Sequence, residues 1–161
     1  MYVCRPQGNK EVDEEMKFGK LRTLRGQIEV TGGGVARKNI IASDGLINFG
    51  LRIKSFVLWP AAISAASTVY TSILSLDTIP SGSLPNAGDN RQFAWVESDA
   101  FTNNVWPPIN VIDPDHIVNR DLFISMVGAG TGVYNYLIEA QVVELTDDEA
   151  IVTIIKETSQ S

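Results

Sequence analysis

The stretch DLFISMVGAGTGVYNYLIEAQVVEL, residues 121–145, carries the two clearest strand patterns in the chain. In its second half, Val133–Leu145, apolar residues recur at every second position, which is typical of a half-buried β-strand. The residues of this apolar face are Tyr134, Tyr136, Ile138, Ala140 and Val142. The first half, Asp121–Val127, is a second predicted strand, and the glycine-rich segment Gly128–Gly132 between them has the length of a hairpin loop.

Five further strands are predicted before this stretch, from their β-branched and aromatic residues and from the turn residues between them. They are Arg25–Thr31, Val35–Ala42, Leu51–Trp59, Ser67–Leu76 and Gln92–Glu97. The first two flank Gly32–Gly34, whose glycines can adopt the positive φ angles that a hairpin turn needs. Residues 77–90 are predicted to form a long surface loop, and residues 101–115 are predicted to be irregular, because prolines interrupt both segments.

The predicted strand Leu51–Trp59 alternates at its start and then becomes apolar on both faces. The alternation places Leu51, Ile53, Ser55 and Val57 on one face and Arg52 and Lys54 on the other. From Phe56 onward both faces are apolar, and Pro60 ends the strand. This pattern predicts a strand that runs from an exposed edge into a covered region.

A capping box precedes the last predicted element. In Thr146-Asp147-Asp148-Glu149 the threonine hydroxyl and the glutamate carboxylate can each accept a hydrogen bond from a backbone amide at the start of a helix. We therefore expect a short helix over Ala150–Glu157. The β-branched run Ile151–Ile155 would equally suit a strand.

These patterns together predict an all-β fold. Seven or eight short strands separated by turns, with little helix, are typical of an antiparallel β-sandwich or barrel. Residues 1–20 lack a sustained period and are predicted to be an N-terminal arm. Residues 21–161 are predicted to be one β-sandwich domain with a short C-terminal helix.

The composition excludes several classes of protein. The chain has 161 residues, is 44% hydrophobic, and contains one cysteine, Cys4, and one histidine, His116. One cysteine cannot form an internal disulfide framework, and one histidine cannot form a multi-histidine metal site. No run of about 18 apolar residues occurs, so no membrane span is predicted.

The net charge of −6 is distributed unevenly, because residues 1–40 carry +3 and the remaining residues carry −9. A globally acidic chain is a poor non-specific ligand for DNA. The basic front section can still contact an acidic neighbour or, locally, a nucleic acid. The interaction residues predicted there are Arg22, Arg25, Arg37 and Lys38. The alternative is that these are solvated charges that protect a strand edge.

Asp113-Pro114-Asp115-His116 is the segment that most resembles a metal-binding or catalytic site. Asp113, Asp115 and His116 are candidate ligands for a divalent cation. The alternative is a structural turn, in which the aspartates cap local amides without any metal. Trp106, in a proline-containing irregular segment, is predicted to be an exposed contact residue. No catalytic residue and no cofactor are predicted, and the chain is not expected to be an enzyme.

Four segments carry a likeness to a known group of proteins. They are Asp89–Gln92, Ile112–Leu122, Asp147–Lys156 and the Asp44-Gly45 turn that leads into Arg52–Pro60. In these segments the chain resembles a group of small proteins encoded by marine phages and other uncultured marine viruses, and the likeness covers most of residues 21–160. The resemblance implies a virion-associated, capsid-type protein with a jelly-roll-like or related sandwich. It implies no set of catalytic residues.

The expected function is that of a structural virion protein that self-assembles into or onto a viral capsid through its arm and loops. Its expected location is the virion, assembled in the host cytoplasm. Its expected partners are further copies of itself, other virion proteins and, locally, packaged nucleic acid. One alternative is a receptor- or glycan-binding tail or spike module with Trp106 exposed. The other is a metal-dependent hydrolase centred on Asp113, Asp115 and His116.

Overall fold

The computed structural model describes residues 17–42, 48–62, 68–80, 85–98 and 109–159. Within these ranges the chain forms nine strands and one helix. The strands are β1 (Lys17–Val30), β2 (Val35–Ile40), β3 (Phe49–Pro60), β4 (Tyr70–Ser75), β5 (Gln92–Ser98), β6 (Ile109–Ile112), β7 (Ile117–Val118), β8 (Leu122–Gly128) and β9 (Gly132–Glu144), and the helix is α1 (Asp147–Ser159).

The strands form two antiparallel sheets. Sheet A has the strand order β1-β9-β3-β7, and sheet B has the order β2-β8-β4-β5-β6. Apolar side chains from both sheets share one buried cluster, so the sheets pack face to face. The predicted all-β sandwich with a short C-terminal helix is therefore confirmed.

The strand pairing is nested along the chain. β1 pairs with β9, β2 with β8, β3 with β7 and β4 with β5, and every pair is antiparallel. β6 is added at the free edge of β5. Apart from β6, the first strand thus pairs with the last and the second with the next to last. This nested order, divided over two sheets, is the strand arrangement of a jelly roll.

The inner faces of the two sheets form the core. The alternation predicted for β9 is confirmed, because Tyr134, Tyr136, Ile138 and Ala140 are buried in the cluster that both sheets share. Tyr134 also meets Tyr70 of sheet B edge to face, with ring centroids 5.2 Å apart. Burial of such large side chains supplies much of the free energy that holds two sheets together.

The two glycine-rich turns predicted as hairpins instead connect the sheets. Thr31–Gly34 leads from β1 in sheet A to β2 in sheet B, and Gly128–Gly132 leads from β8 in sheet B to β9 in sheet A. Gly33 has the expected positive φ of 73°. The hairpin prediction is wrong because each flanking strand pairs with a strand that is distant in sequence, a choice that the local turn sequence does not encode.

A β-bulge in β3 separates two halves of that strand. Opposite β9, Ile53 pairs with Ala140 and Ser55 pairs with Glu139, so Lys54 is an extra residue on β3. Because side chains alternate with a period of two, one extra residue exchanges the two faces of the strand beyond it.

The bulge reverses the predicted facing of the second half of β3. Phe56 and Leu58 are buried, whereas Val57 and Trp59 are 39% and 43% exposed on the opposite face. The prediction that Val57 shares a face with Leu51 is therefore wrong. The physical reason is the extra residue, which the sequence pattern does not reveal.

Other element boundaries also differ from the predictions. β1 begins at Lys17, so the last four residues of the predicted arm belong to the sandwich. Residues 1–16 of the arm lie outside the described residues. β6 lies within the segment predicted to be irregular, and β7 is a strand of two residues that the sequence did not indicate.

The helix and its capping box are as expected. The Glu149 amide donates to the Thr146 hydroxyl at 3.3 Å, and the Thr146 amide donates to the Glu149 carboxylate at 2.9 Å. The first turn of α1 packs on the end of sheet A through Ala150, which is buried with Val143 and Leu145. In the described part of the chain, no helix is long and apolar enough to cross a membrane.

Candidate functional site

The segment predicted as a metal site forms a turn between β6 and β7. The Asp115 amide donates to the Asp113 carboxylate at 3.0 Å, a local cap of the kind that aspartate makes in turns. Arg52 holds the turn from β3, because its Nε donates to the Pro114 carbonyl at 2.5 Å and its Nη2 lies 3.5 Å from the Asp115 carboxylate. The Asp115 side chain is 91% exposed, so this ion pair contributes little to stability.

His116 packs inward from the same turn. Its ring stacks on Phe93 of β5, with centroids 4.8 Å apart and planes at 13°. Its Nε2 atom is buried and makes no hydrogen bond within the described residues. Burial lowers the pKa of His116, and the negative charge of Asp113 opposes this shift in part. The imidazole is therefore neutral at pH 7.

The three candidate metal ligands do not converge. The Asp113 carboxylate caps the turn and the Asp115 carboxylate pairs with Arg52 at the surface, whereas the imidazole lies against a core phenylalanine. Among the described residues, no group of three or more His, Cys, Asp and Glu side chains is placed to hold a metal ion. The geometry of Asp113, Asp115 and His116 is that of the structural turn.

Most of the predicted basic interaction residues bind the chain's own backbone. Arg22 donates to the Ala42 carbonyl at 3.2 Å. Arg37 donates to the Ile79 carbonyl at 2.8 Å. Lys38 donates to the Gln27 carbonyl at 2.8 Å, with its Nζ 5.6 Å from the centre of the Tyr136 ring. Arg22 and Lys38 link β1 to the β2 side and so close the open side of the sandwich, whereas Arg37 binds the segment after β4 on the outer face of sheet B. The three side chains do not form one free basic surface.

A cleft of about 500 Å³ lies on that side, between the edges of β1 and β2. Its lining residues are Gln27, Ile28, Glu29, Thr31, Gly34, Val35, Ala36, Arg37 and Lys38. Lys38 spans the cleft from β2 to β1 through its bond to Gln27. The cleft is therefore a gap between two sheet edges that the protein's own side chains bridge.

The outer face of sheet A presents a different kind of surface. Three strands place side chains there in rows, and each row is read across β1, β9 and β3. The Trp59 row consists of Gln27, Asn135 and Trp59. The Arg25 row consists of Arg25, Leu137 and Val57. The Glu29 row, at the end of the strands, consists of Glu29 and Val133.

These rows combine exposed apolar groups with a polar margin. Trp59, Val57 and Val133 are 43%, 39% and 38% exposed. Gln27 donates from its amide nitrogen to the Asn135 amide oxygen at 2.9 Å, so these two side chains are joined within the Trp59 row. Arg25 and Glu29 are exposed at the β1 side. We call the three rows together the sheet A patch.

The outer face of sheet B is covered by the chain itself. Ile73 of β4 and Ser125 of β8 point outward in register, yet both are fully buried. The segment after β4 contains Ile79, which is also fully buried and whose carbonyl accepts from Arg37 on this face. The predicted loop 77–90 therefore acts, in its described parts, as a cover for sheet B.

From the sequence alone, Trp59 is one of several aromatic residues that could line a sugar- or base-stacking surface, but packing in the core or an interface is the favoured interpretation of aromatic residues on strands. Val57 is not indicated as a site residue. The only possible signal was the charged residue Lys54 before an apolar run, which is compatible with a bulge but does not establish one. The predicted contact residue Trp106 lies outside the described residues.

Comparison of the chain with models of protein families, with curated protein sequences and with solved structures found no match in any of the three.

Proposed function

We propose that this chain is a structural virion protein that self-assembles into or onto a viral capsid. The main support is the sheet A patch. Val57, Trp59 and Val133 expose apolar surface on a rigid sheet, and apolar surface of this kind on a folded domain marks an interaction site. The chain's own loop seals the equivalent face of sheet B. The outer face of sheet B is thus covered within the subunit, and the outer face of sheet A is suited to binding a partner.

The strand arrangement supports the viral part of the proposal. The jelly roll is the fold of many viral capsid domains, and also of lectin domains. Because one fold hosts several functions, this support is an analogy. The sequence resemblance to marine virus proteins points in the same direction. The interior is filled by apolar side chains from both sheets, as a subunit that works by packing requires.

The N-terminal arm has a defined starting point in this proposal. Residues 1–16 join the sandwich at Lys17, the first residue of the edge strand β1. Sixteen residues span at most about 55 Å when extended, which is enough to reach a neighbouring subunit. The first described residue and the sheet A patch belong to the same sheet, and the proposal assigns the arm and the patch to contacts between subunits.

The test is the mass of the full-length purified protein, measured by light scattering over a range of concentrations and followed by electron microscopy. We expect multimers or particles. A variant lacking residues 1–16 keeps all of β1, so it should fold and unfold like the full chain but assemble less well. A full-length protein that stays monomeric at every concentration would refute self-assembly. Normal particles from the truncated variant would refute the role of the arm.

A second candidate function is glycan binding by a tail or spike module, and one observation favours it. Trp59 is exposed beside the Gln27 and Asn135 amides, and an aromatic ring flanked by amides can stack on and hydrogen-bond to a sugar. A glycan array with the wild-type chain and a Trp59→Ala variant tests this. Binding that disappears in the variant would support it, and an array without signal would contradict it.

A further inference from the structure

The sheet A patch has a pattern that matches itself. We infer that it binds the same patch of a second copy, around a two-fold axis that lies along the Trp59 row. This inference rests on the proposed self-assembly and specifies one of its contacts. The strand register, the apolar side chains and the charges at the β1 side of the patch all fit this arrangement.

The register decides which rows would face each other. Consecutive rows on the same face are two residues apart along each strand, which is about 7 Å. The two-fold axis runs parallel to the Trp59 row, perpendicular to the strands and midway between the two facing sheets. It places each strand over the same strand of the partner subunit, running in the opposite direction. The Trp59 row then faces itself. The Arg25 row and the Glu29 row, one on each side of the axis, face each other.

The apolar residues match under this operation. Trp59 lies against Trp59 of the partner subunit, and Leu137 faces Val133 of the partner subunit. Val57 faces the end of β3 near Ala61 of the partner subunit. Face-to-face packing of two sheets about 10 Å apart is the ordinary way to bury such residues. The exposed surface of Trp59 and Val133 would thereby be removed from water on both subunits.

The charges match as well. Arg25 faces Glu29 of the partner subunit, and the symmetry produces this pair twice. An axis along the Arg25 row would instead place Arg25 against its own copy, and an axis parallel to the strands would place Arg25 over Val57 of the partner subunit. Both alternatives bring a charge against a like charge or an apolar group, which is costly. The charge pattern therefore selects the axis along the Trp59 row.

The polar groups at the centre do not oppose burial. Gln27 and Asn135 of the Trp59 row are hydrogen-bonded to each other at 2.9 Å within one subunit. Burying an amide is expensive chiefly when its hydrogen bonds are lost. This pair keeps its bond when the patch is covered, and the remaining amide atoms face the same amides of the partner subunit, to which they can hydrogen-bond across the axis.

The decisive experiment is a charge exchange in the full-length protein, with the dissociation constant of the smallest assembly unit measured by analytical ultracentrifugation. Arg25→Glu and Glu29→Arg each create like-charge contacts, so we expect each to weaken association about tenfold or more. The double variant restores opposite charges and should return to within about threefold of the wild-type constant. Trp59→Ala removes the central contact and should weaken association about 30-fold or more.

Two controls separate the contact from general effects. Lys20→Glu reverses a charge that is exposed on the same strand β1 but lies seven residues from the Trp59 row and beyond the end of the facing β1 strand in this arrangement, so it should leave the constant unchanged. Because all the altered side chains are exposed, urea unfolding at a concentration where the protein is monomeric should give unchanged midpoints.

Each outcome has a defined meaning. Rescue by the double variant supports the two-fold contact. Weakening by the single variants without rescue refutes this register. A wild-type multimer that none of the variants affects refutes the contact but leaves self-assembly standing. A monomeric wild type refutes both, and if it binds a glycan through Trp59, the patch belongs to that ligand.

Discussion

The outer faces of the two sheets differ in how far the chain itself covers them. Both carry apolar side chains that point away from the core, at Ile73 in sheet B and at Val57 in sheet A. Ile73 is fully buried, whereas Val57 is 39% exposed. The difference arises because a connection of the chain covers sheet B. Outward apolar residues are thus buried where the chain supplies a cover and remain exposed where it does not.

The cover of sheet B is held by specific hydrogen bonds. Arg37 and Arg120 donate to backbone carbonyls in the segment after β4. Near the start of β5, the Gln92 side-chain oxygen accepts hydrogen bonds from both the backbone N–H of Asn86 and the indole N–H of Trp95. These bonds attach the connection to the sandwich both after β4 and before β5. We therefore regard the cover as an integral part of the folded domain.

The largest expected effect contrasts the two faces directly. Ile73→Ala removes a fully buried side chain and should cost about 2–5 kcal/mol of unfolding free energy. Val57→Ala, at a comparable position on sheet A, should cost less than about 1 kcal/mol in the monomer. Urea unfolding of both variants at low protein concentration measures this. Equal losses would show that the sheet A face is covered within the subunit after all.

A smaller effect is expected at two arginines. Arg37→Ala removes the hydrogen bond to the Ile79 carbonyl and should cost about 1–2 kcal/mol. Arg25→Ala, on the sheet A patch, should change the monomer by no more than about 0.5 kcal/mol. The same unfolding measurement checks both. If Arg25→Ala proved as damaging to the monomer as Arg37→Ala, the assignment of Arg25 to a contact between subunits would lose its basis.

The capping box tests how far the helix depends on sheet A. Thr146→Ala removes the hydroxyl that accepts from the Glu149 amide and should destabilise α1 by about 1 kcal/mol. Since the buried contact of α1 with sheet A among the described side chains is made by Ala150 in the first turn, we expect a loss of helical circular dichroism with little change in the main unfolding transition. Thr146→Ser keeps the cap and serves as the control. A large shift of the main transition would show that α1 is an integral part of sheet A.

The smallest and most specific effect concerns pH. Burial lowers the pKa of His116 in the folded protein, so the neutral form is favoured on folding. As the pH falls below about 6.5, the unfolded chain binds a proton that the folded chain does not, and stability decreases until the folded pKa is reached. Urea midpoints at pH 7.5 and 5.5 should therefore differ more for the wild type than for His116→Asn. An identical pH dependence in both would contradict the buried, neutral imidazole.

Parts of the fold were predictable because they depend on local pattern. The period of two in β9 correctly placed Tyr134 and Ile138 inside, and the capping box correctly located α1. The bulge at Lys54 was not predictable, because one unpaired residue depends on the register against β9. The sheet A patch was missed for the same reason, since Val57 and Trp59 face outward only beyond that bulge.

The hydrogen-bond partners of the basic residues also could not be predicted from the sequence. Composition correctly indicated a positively charged front section, but it could not show that Arg22, Arg37 and Lys38 donate to backbone carbonyls. Those acceptors lie on other elements, and their positions follow from the nested strand order. For Asp113, Asp115 and His116 the sequence allowed two interpretations, a structural turn and a cation site, and the structure shows the turn. The alternative, a cation site, requires a convergence of ligands that the described residues do not show.

The nested pairing has a consequence for how the protein is made. Val30 of β1 pairs with Gly132 of β9, so the central pairing of sheet A must wait for about 100 further residues. At a synthesis rate of about 5–20 residues per second, this delay lasts on the order of 5–20 s. During that time β1 has two open edges, and Lys17, Lys20, Arg22 and Arg25 oppose premature pairing with other nascent chains. We therefore expect the basic side chains of β1 to limit aggregation of the nascent chain before β9 is available for pairing.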